Sequence, residues 1–337
     1  MRNKSWLSAA LVAALSLCCR QPSDAATVAE LAGLYAPAVM LAGDEPNRPA
    51  NVDWFLSRTT ISVVDLGCSP NTSGFGVPTQ PLLSSLSYRS PCSGHTIQAS
   101  GTRSKDRAHT FVLADVNDAD KAGAANPLDW ATYYHVIDNG AAGLAIQYWL
   151  FYAFNTGKII NGPFHTSIEV GYHGGDWEMV EVTLDRSMTP SLISATGHTN
   201  MDSHPWSAVQ KMLDTYPIVF AERGGHEMHI GPLTAGPYIQ DLTWPGSQVV
   251  LLDPSSSVAH GPLVDLGTRL HPKAAFLSYS GLWGSLGLTP FSSGYWGPAY
   301  NETGLGTDGF LAAWCYGMIN LSLAEGARRE CYPDDQD

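Results

Sequence analysis

The sequence predicts a mainly β protein: a single-domain β-sandwich with peripheral helices and long loops. Three observations predict it. The 337 residues include 33 glycines, 22 prolines, 10 tryptophans and 14 tyrosines, and only 15% are charged, which suits short strands joined by tight turns around a large core. Apolar runs recur at 145–154, 218–221, 249–252 and 276–279, each with Gly, Pro or Asn within two residues of an end. From Met179 to Asp185 apolar and polar residues alternate strictly, the period of a half-buried strand. There is no internal repeat and no linker-like stretch, so residues 26–337 read as one domain.

Residues 1–25 read as a secretory signal. Arg2 and Lys4 precede an apolar stretch from Trp6 to Leu17, and small residues mark a cut near Ser23-Asp24-Ala25. The apolar stretch is too short for a membrane span, and no other segment qualifies. The expectation is an exported, extracellular protein. Cleavage removes Cys18 and Cys19 and leaves Cys68, Cys92, Cys315 and Cys331. With no Cys-x-x-Cys spacing these suggest two disulfides, and the local pairing Cys68–Cys92 with Cys315–Cys331 is favoured among the three connectivities. The formal charge of −13 becomes about −15 once Arg2, Lys4, Arg20 and Asp24 are gone. So acidic and Lys-poor a chain is a poor partner for nucleic acid, whose phosphates need Lys and Arg, and net charge does not draw it to anionic lipid.

Along the chain, Val28, Leu31, Leu34 and Tyr35 fall at helical spacing, so a helix is expected within 27–40, bent or ended by Pro37. Asp44-Glu45-Pro46 and Pro49 form a loop leading into Val52-Asp53-Trp54-Phe55-Leu56. Residues 66–108, rich in Ser, Gly, Pro and Thr, read as a surface excursion stapled by Cys68 and Cys92. The run 145–154 (AIQYWLFYAF) reads as a central strand covered on both sides. Residues 218–221 are a further strand candidate, and Gly224-Gly225-His226-Glu227-Met228-His229 reads as a turn after it.

The chemistry concentrates in Tyr172-His173-Gly174-Gly175-Asp176-Trp177-Glu178. Alternation places Asp176 and Glu178 on the face of Val180, Val182 and Leu184, with Glu181, Thr183 and Asp185 opposite. Two neighbouring carboxylates on an inner face need compensation. A divalent cation held by His173, Asp176 and Glu178 supplies it, and an oxygen-rich site suits Mg²⁺ or Ca²⁺. The alternative is a buried ion pair, with Arg223 as the partner. His226, as a fourth ligand or a general base, and Glu227 are candidates for an acid or base beside that stretch, and His165 has a weaker claim.

Several stretches resemble the vacuolar protein sorting-associated protein sixty-two family. They are Leu34 to Leu41 with Asp44-Glu45 and Val52-Asp53-Trp54-Phe55; Ile146 to Asn155; His173 to Glu178; and Tyr216 to Ala221 with Gly225-His226. Tyr279-Ser280-Gly281-Leu282-Trp283-Gly284 is similar to that family's C-terminal signature, with Leu282 where Arg is expected. A more distant resemblance is to the necrosis- and ethylene-inducing-like proteins, in which a His-x-x-Asp-x-Glu segment follows an aromatic strand. It implies a secreted β-sandwich whose His, Asp and Glu help hold a divalent cation at a membrane-glycolipid site. Asn155 stands nearest the place of a further Asp ligand in those proteins.

Other strings carry less. Gly304-Leu305-Gly306-Thr307-Asp308-Gly309 has no strand before it, and Trp283-Gly284-Ser285-Leu286-Gly287 has Trp where a nucleophile elbow needs Gly. Asn71, Asn301 and Asn320 begin Asn-x-Ser/Thr sequons. Three functions are expected in order. The first is a secreted, effector- or toxin-like protein whose cation site recognises a polar head group or glycan on a cell surface. The second is a metal-dependent hydrolase of a phosphoester or glycan, and the third a structural module with a buried ion pair.

Overall fold

The computed structural model describes residues 26–43, 45–101, 107–161, 167–196, 201–232, 251–252, 261–267, 271–287, 294 and 296–298. The expected signal segment, Cys315 and Cys331, His165, the Gly304–Gly309 string and Asn301 and Asn320 lie outside them.

Two long strands form the middle of the molecule. The aromatic strand Leu144–Asn155 pairs antiparallel with the site strand His173–Leu184, from Leu144↔Leu184 to Asn155↔His173. Thr132–Asp138 flanks the first, with Leu263–Asp265 beyond it; Pro190–Thr196 and then Met201–Pro205 flank the second, completing a six-stranded sheet. Residues 145–155 and 173–184 are all buried, so both faces of these two central strands are covered, as the aromatic run predicts.

The two faces are covered differently. On one, Tyr148, Leu150 and Tyr152 stand opposite Val180, Glu178 and Asp176. The Val28–Leu34 helix approaches there, with Ala32 O accepting from the Tyr148 hydroxyl at 2.8 Å. A smaller sheet belongs to the same side. Ala38–Met40 runs parallel to Tyr216–Ala221, Leu251–Leu252 pairs with the former, and Met228–His229 folds back on the latter. On the opposite face Phe151, Trp177, Phe55, Phe276 and Trp283 form an aromatic cluster with centroids 4.8–6.0 Å apart, mostly edge to face. A three-stranded sheet, Thr72–Gly76, Ile61–Asp65 and His109–Leu113, joins through Leu113 N–H to Leu282 O and Leu282 N–H to Phe111 O, both 2.9 Å. Among the described residues no helix is long and apolar enough to cross a membrane.

The Cys68–Cys92 disulfide forms as expected and ties down a segment that carries its own helix, Gln80–Ser85, and the hairpin Ser87–Arg89/Thr96–Gln98. Two local expectations are corrected, and one segment left open by the sequence is assigned. The first helix is only Val28–Leu34: Thr27 and Glu30 form a reciprocal capping box at its start, and Pro37 turns the chain into the Ala38–Met40 strand. Val52–Leu56 is a short helix capped by the Asn51 side chain. The apolar run at 276–279 is largely the 3₁₀ turn Ala275–Ser278, which supplies Phe276 to the aromatic cluster.

The expected polar face of the site strand is a further correction. Glu181 is buried, and Gln147 on the neighbouring strand donates to it at 3.0 Å. Burial pushes the Glu181 carboxyl up to about 7, against hydrogen bonds from Gln147 and Thr183 that pull it down. Between its ordinary value and about 7 the folded chain keeps a proton that the unfolded chain has released. Stability therefore falls as pH rises through that window. Glu181→Gln is expected to flatten this slope and to gain on the order of 3 kcal/mol over the wild type at pH 8, with the two alike near pH 4, as measured by denaturant melts. Trp149, fully buried on the aromatic strand, gives the complementary test of packing: Trp149→Ala should cost roughly 3–5 kcal/mol in the same melts.

Candidate functional site

The site lies where the aromatic and site strands end together, under the turn that follows Tyr216–Ala221. Asp176 is 4% exposed and Glu178 5%, both on the buried face that alternation assigns them. His173, 2% exposed, begins the site strand. Gly174 and Gly175 separate it from Asp176. Gly175 has φ 60°, and a Cβ there would collide with the Trp283 carbonyl; a Cβ on Gly174 would collide with Asp115. The glycine pair thus does more than permit a turn. It admits the Trp283–Gly284 backbone against the base of the site.

Around Asp176 the two carboxylate oxygens have separate neighbours. Oδ2 accepts from Asn155 Nδ2 at 3.0 Å and lies 2.9 Å from His226 Nδ1. Oδ1 faces His173 Nε2 at 3.9 Å. His173 Nδ1 donates to Gly174 O at 3.1 Å, which fixes the tautomer and turns Nε2 toward Asp176. Asn155 is an interlocked clamp. Its Nδ2 also donates to Gly225 O at 3.0 Å, while its Oδ1 accepts from Gly157 N–H at 2.6 Å.

His226 is fully buried, with φ 62° in the turn, and its ring stacks on Tyr152 at 3.8 Å and 5°. Its second nitrogen, Nε2, lies 3.4 Å from Glu45 Oε1, at ion-pair distance though off the hydrogen-bond direction. Glu45 is itself held by Gly224 N–H, at 3.0 and 3.2 Å to its two oxygens. The imidazole therefore sits between two carboxylates. Burial alone would lower its pKa; the hydrogen bond to Asp176 and the charges of Glu45 and Asp176 outweigh that and raise it to about 9. The Tyr152 hydroxyl, fully buried, has no hydrogen-bond partner among the described residues. Burial first, then the charges of Glu45, Glu178 and Asp176, push its pKa well above the ordinary value.

The structure thus brings His173, Asp176, Asn155 and His226 together. The cationic side chain it sets on Asp176 is His226, three residues beyond the expected Arg223. Glu227 lies elsewhere in the same hairpin. With Glu222 and His229 it forms the trio of ligand atoms, among the described residues, that lie within 4.8 Å of one another. Sequence reasoning missed Glu45 as a member of the site. Its signal was weak: one acid in a Pro-flanked loop, brought in by the parallel pairing of Ala38–Met40 with Tyr216–Ala221.

No family model matches the chain, so the likeness to the vacuolar sorting-associated family stays with its sequence stretches, and no curated protein matches it. Among solved structures, similar ones include necrosis- and ethylene-inducing protein 2 from the causal agent of cocoa's witches' broom disease, with 13% identity over 64% of this chain and 73% of that one, TM-score 0.29. NLPPya in complex with glucosamine has 16% identity over 76% and 79%, TM-score 0.32. Non-toxic HaNLP3 has 14% identity over 65% and 75%, TM-score 0.28. These overlaps are loose, and neither the architecture nor the site described above rests on them.

The raised His226 pKa has a measurable sign. Protonated His226 is stabilised in the fold relative to the unfolded chain, where His titrates near 6.5. That stability is fully present below about pH 6.5 and is lost as pH rises through about 9. In chelator-containing buffer, melting temperature should fall over this window, and His226→Gln should lower it at pH 6 while flattening the fall. A melting temperature of the Glu181→Gln variant that holds level between pH 6.5 and 9 contradicts this.

Proposed function

We propose that this chain is an exported, effector-like protein that recognises a polar head group or glycan on a cell surface through a divalent cation, Mg²⁺ or Ca²⁺, at the His173–Asp176 corner. One observation carries the reading: the division of labour on Asp176. Its Oδ2 is committed to Asn155 and His226, while Oδ1 and His173 Nε2 face one another at 3.9 Å. That separation suits two ligands of one metal at about 2.0–2.5 Å each. In this reading the ion is held by Asp176 and His173, for Glu178 shares their strand but its carboxylate is not drawn within 4.8 Å of both. Asn155 serves in this reading to orient Asp176, the role that partners of a metal ligand commonly have. So few protein ligands leave coordination positions for oxygens of a bound hydroxylated ligand, which is the chemistry the ion supplies.

The hydrolase reading finds less support. His226 is buried, with a carboxylate against each ring nitrogen, so no nitrogen is left to take a substrate proton. Glu227 belongs to a different trio.

A cation that binds only the folded state stabilises it by RT ln(1 + [L]/Kd), about 2.7 kcal/mol at a hundred times Kd. Chelation should therefore lower the wild-type melting temperature, Mg²⁺ or Ca²⁺ should restore it, and Asp176→Asn and His173→Ala should each blunt the response. If wild type and both variants melt alike with and without chelator, the Asp176–His226 ion pair is the whole of the compensation and the cation reading is lost.

A further inference from the structure

We propose that Asn71 carries an N-linked oligosaccharide, and that this carbohydrate covers the open edge of the Thr72–Gly76 strand. The proposal rests on the export reading above and is independent of the cation and of what the site binds.

Asn71-Thr72-Ser73 is an acceptor sequence that lies within the described residues, and its place in the fold suits a bulky modification. Asn71 is exposed, at the bend that leads into Thr72–Gly76. Its backbone is fixed: Asn71 O accepts from Asp65 N–H at 2.8 Å, and the Cys68–Cys92 disulfide ties down the turn between them. Its side-chain amide makes no hydrogen bond among the described residues, so a bond at Nδ2 displaces nothing that holds the fold together. Asn71 also precedes Cys92, so during export the acceptor emerges before the disulfide that folds its turn can close. The donor class is an oligosaccharide on a lipid pyrophosphate. Asn71 Nδ2 bonds to the anomeric carbon, the bond from that carbon to the pyrophosphate oxygen breaks, the amide gives up one proton, and the lipid pyrophosphate leaves.

The edge gives the carbohydrate its task. Thr72–Gly76 pairs with Ile61–Asp65 on one side and with no other strand among the described residues. Thr72, Gly74 and Gly76 are exposed, Leu66 in the turn before the strand is 47% exposed, and Val77 directly after it 60%. An open edge with apolar side chains beside it invites pairing with strands of other molecules. At the Gly76 end a bulge between Ile61 and Ser62 already bends the ladder away. At the other end the ladder is regular, from Val64↔Thr72 to Ser62↔Gly74, and Asn71 stands there. A hydrated oligosaccharide on Asn71 occupies the space a second strand would need.

Cell-free translation of the full chain with rough microsomes tests the modification. Protease protection reads export, and a mass shift removed by endoglycosidase H reads glycan addition. The wild type is expected to be protected and shifted, and Asn71→Gln to be protected with one shift fewer. Protected chains with equal shifts overturn the proposal and leave export standing; an unprotected wild type overturns both. Sedimentation of protein from a eukaryotic secretory host tests the cover. The wild type should keep one sedimentation coefficient as concentration rises, while Asn71→Gln associates. Adding Gly74→Lys, whose Cβ would meet nothing within 4 Å, should abolish that association by placing a charge on the edge. The covering role is overturned if Asn71→Gln sediments as the wild type does, or if Gly74→Lys leaves its association unchanged.

Discussion

Much of the molecule depends on the pairing of Leu144–Asn155 with His173–Leu184. Both strands are buried on both faces, so each side chain on them must find a partner inside the protein. Alternation sorts those side chains into two unlike halves. One face is aromatic and closes by edge-to-face packing around Trp177, Phe151 and Trp283. The other begins apolar, with Tyr148 and Val180, and becomes polar at Glu178 and Asp176; Asn155, the last residue of its strand, reaches Asp176 from the strand end rather than by alternation. Polar groups can collect at that end because the turn 222–227 supplies the backbone carbonyls, N–H groups and imidazole that satisfy them.

Asp176 shows what a low-dielectric site must supply to hold a buried charge. Removing a carboxylate from water costs several kcal/mol unless hydrogen bonds and an opposite charge replace the lost solvation. Asn155 and His226 do this at one oxygen, and Glu45 keeps the imidazole charged by approaching its far side. The arrangement is a chain of alternating charge, carboxylate–imidazolium–carboxylate, clamped by Gly224 N–H at one end and Asn155 at the other. The other oxygen of Asp176, Oδ1, faces His173 Nε2 at 3.9 Å.

Much of this was legible in the residues. Strict alternation from Met179 onward put Asp176 and Glu178 on the buried face, and the unbroken run at 145–154 foretold a strand covered on both sides. The two-residue period failed at Glu181, because the Gln147–Glu181 bond makes an inward acid tolerable on a face expected to meet water. Helical spacing over 27–40 was misleading beyond Leu34, since Pro37 ends the helix and tertiary pairing with residues 218–220 takes the next residues into a sheet. Glu45 and the ring stack of Tyr152 on His226 depend on contacts between segments more than 70 residues apart, and no local pattern encodes such contacts. Arg223 was the reasonable cation from charge alone. That His226 reaches Asp176 follows from its left-handed backbone in the turn, which composition does not disclose.

The approach of Trp283–Gly284 to the glycine pair Gly174–Gly175 has a consequence for how the protein is made. Every side chain around Asp176 has been synthesised by residue 226, yet the floor beneath them arrives more than fifty residues later. During passage of the chain from its N-terminus, the central ladder can close first while its buried acids still meet water through the gap. Docking of the Tyr279–Gly284 segment, whose Leu282 also ties in Phe111 and Leu113, is then the step that dries the site. An unfinished or clipped chain would therefore carry Asp176 and its neighbours without the Trp283–Gly284 backbone that closes against Gly174 and Gly175.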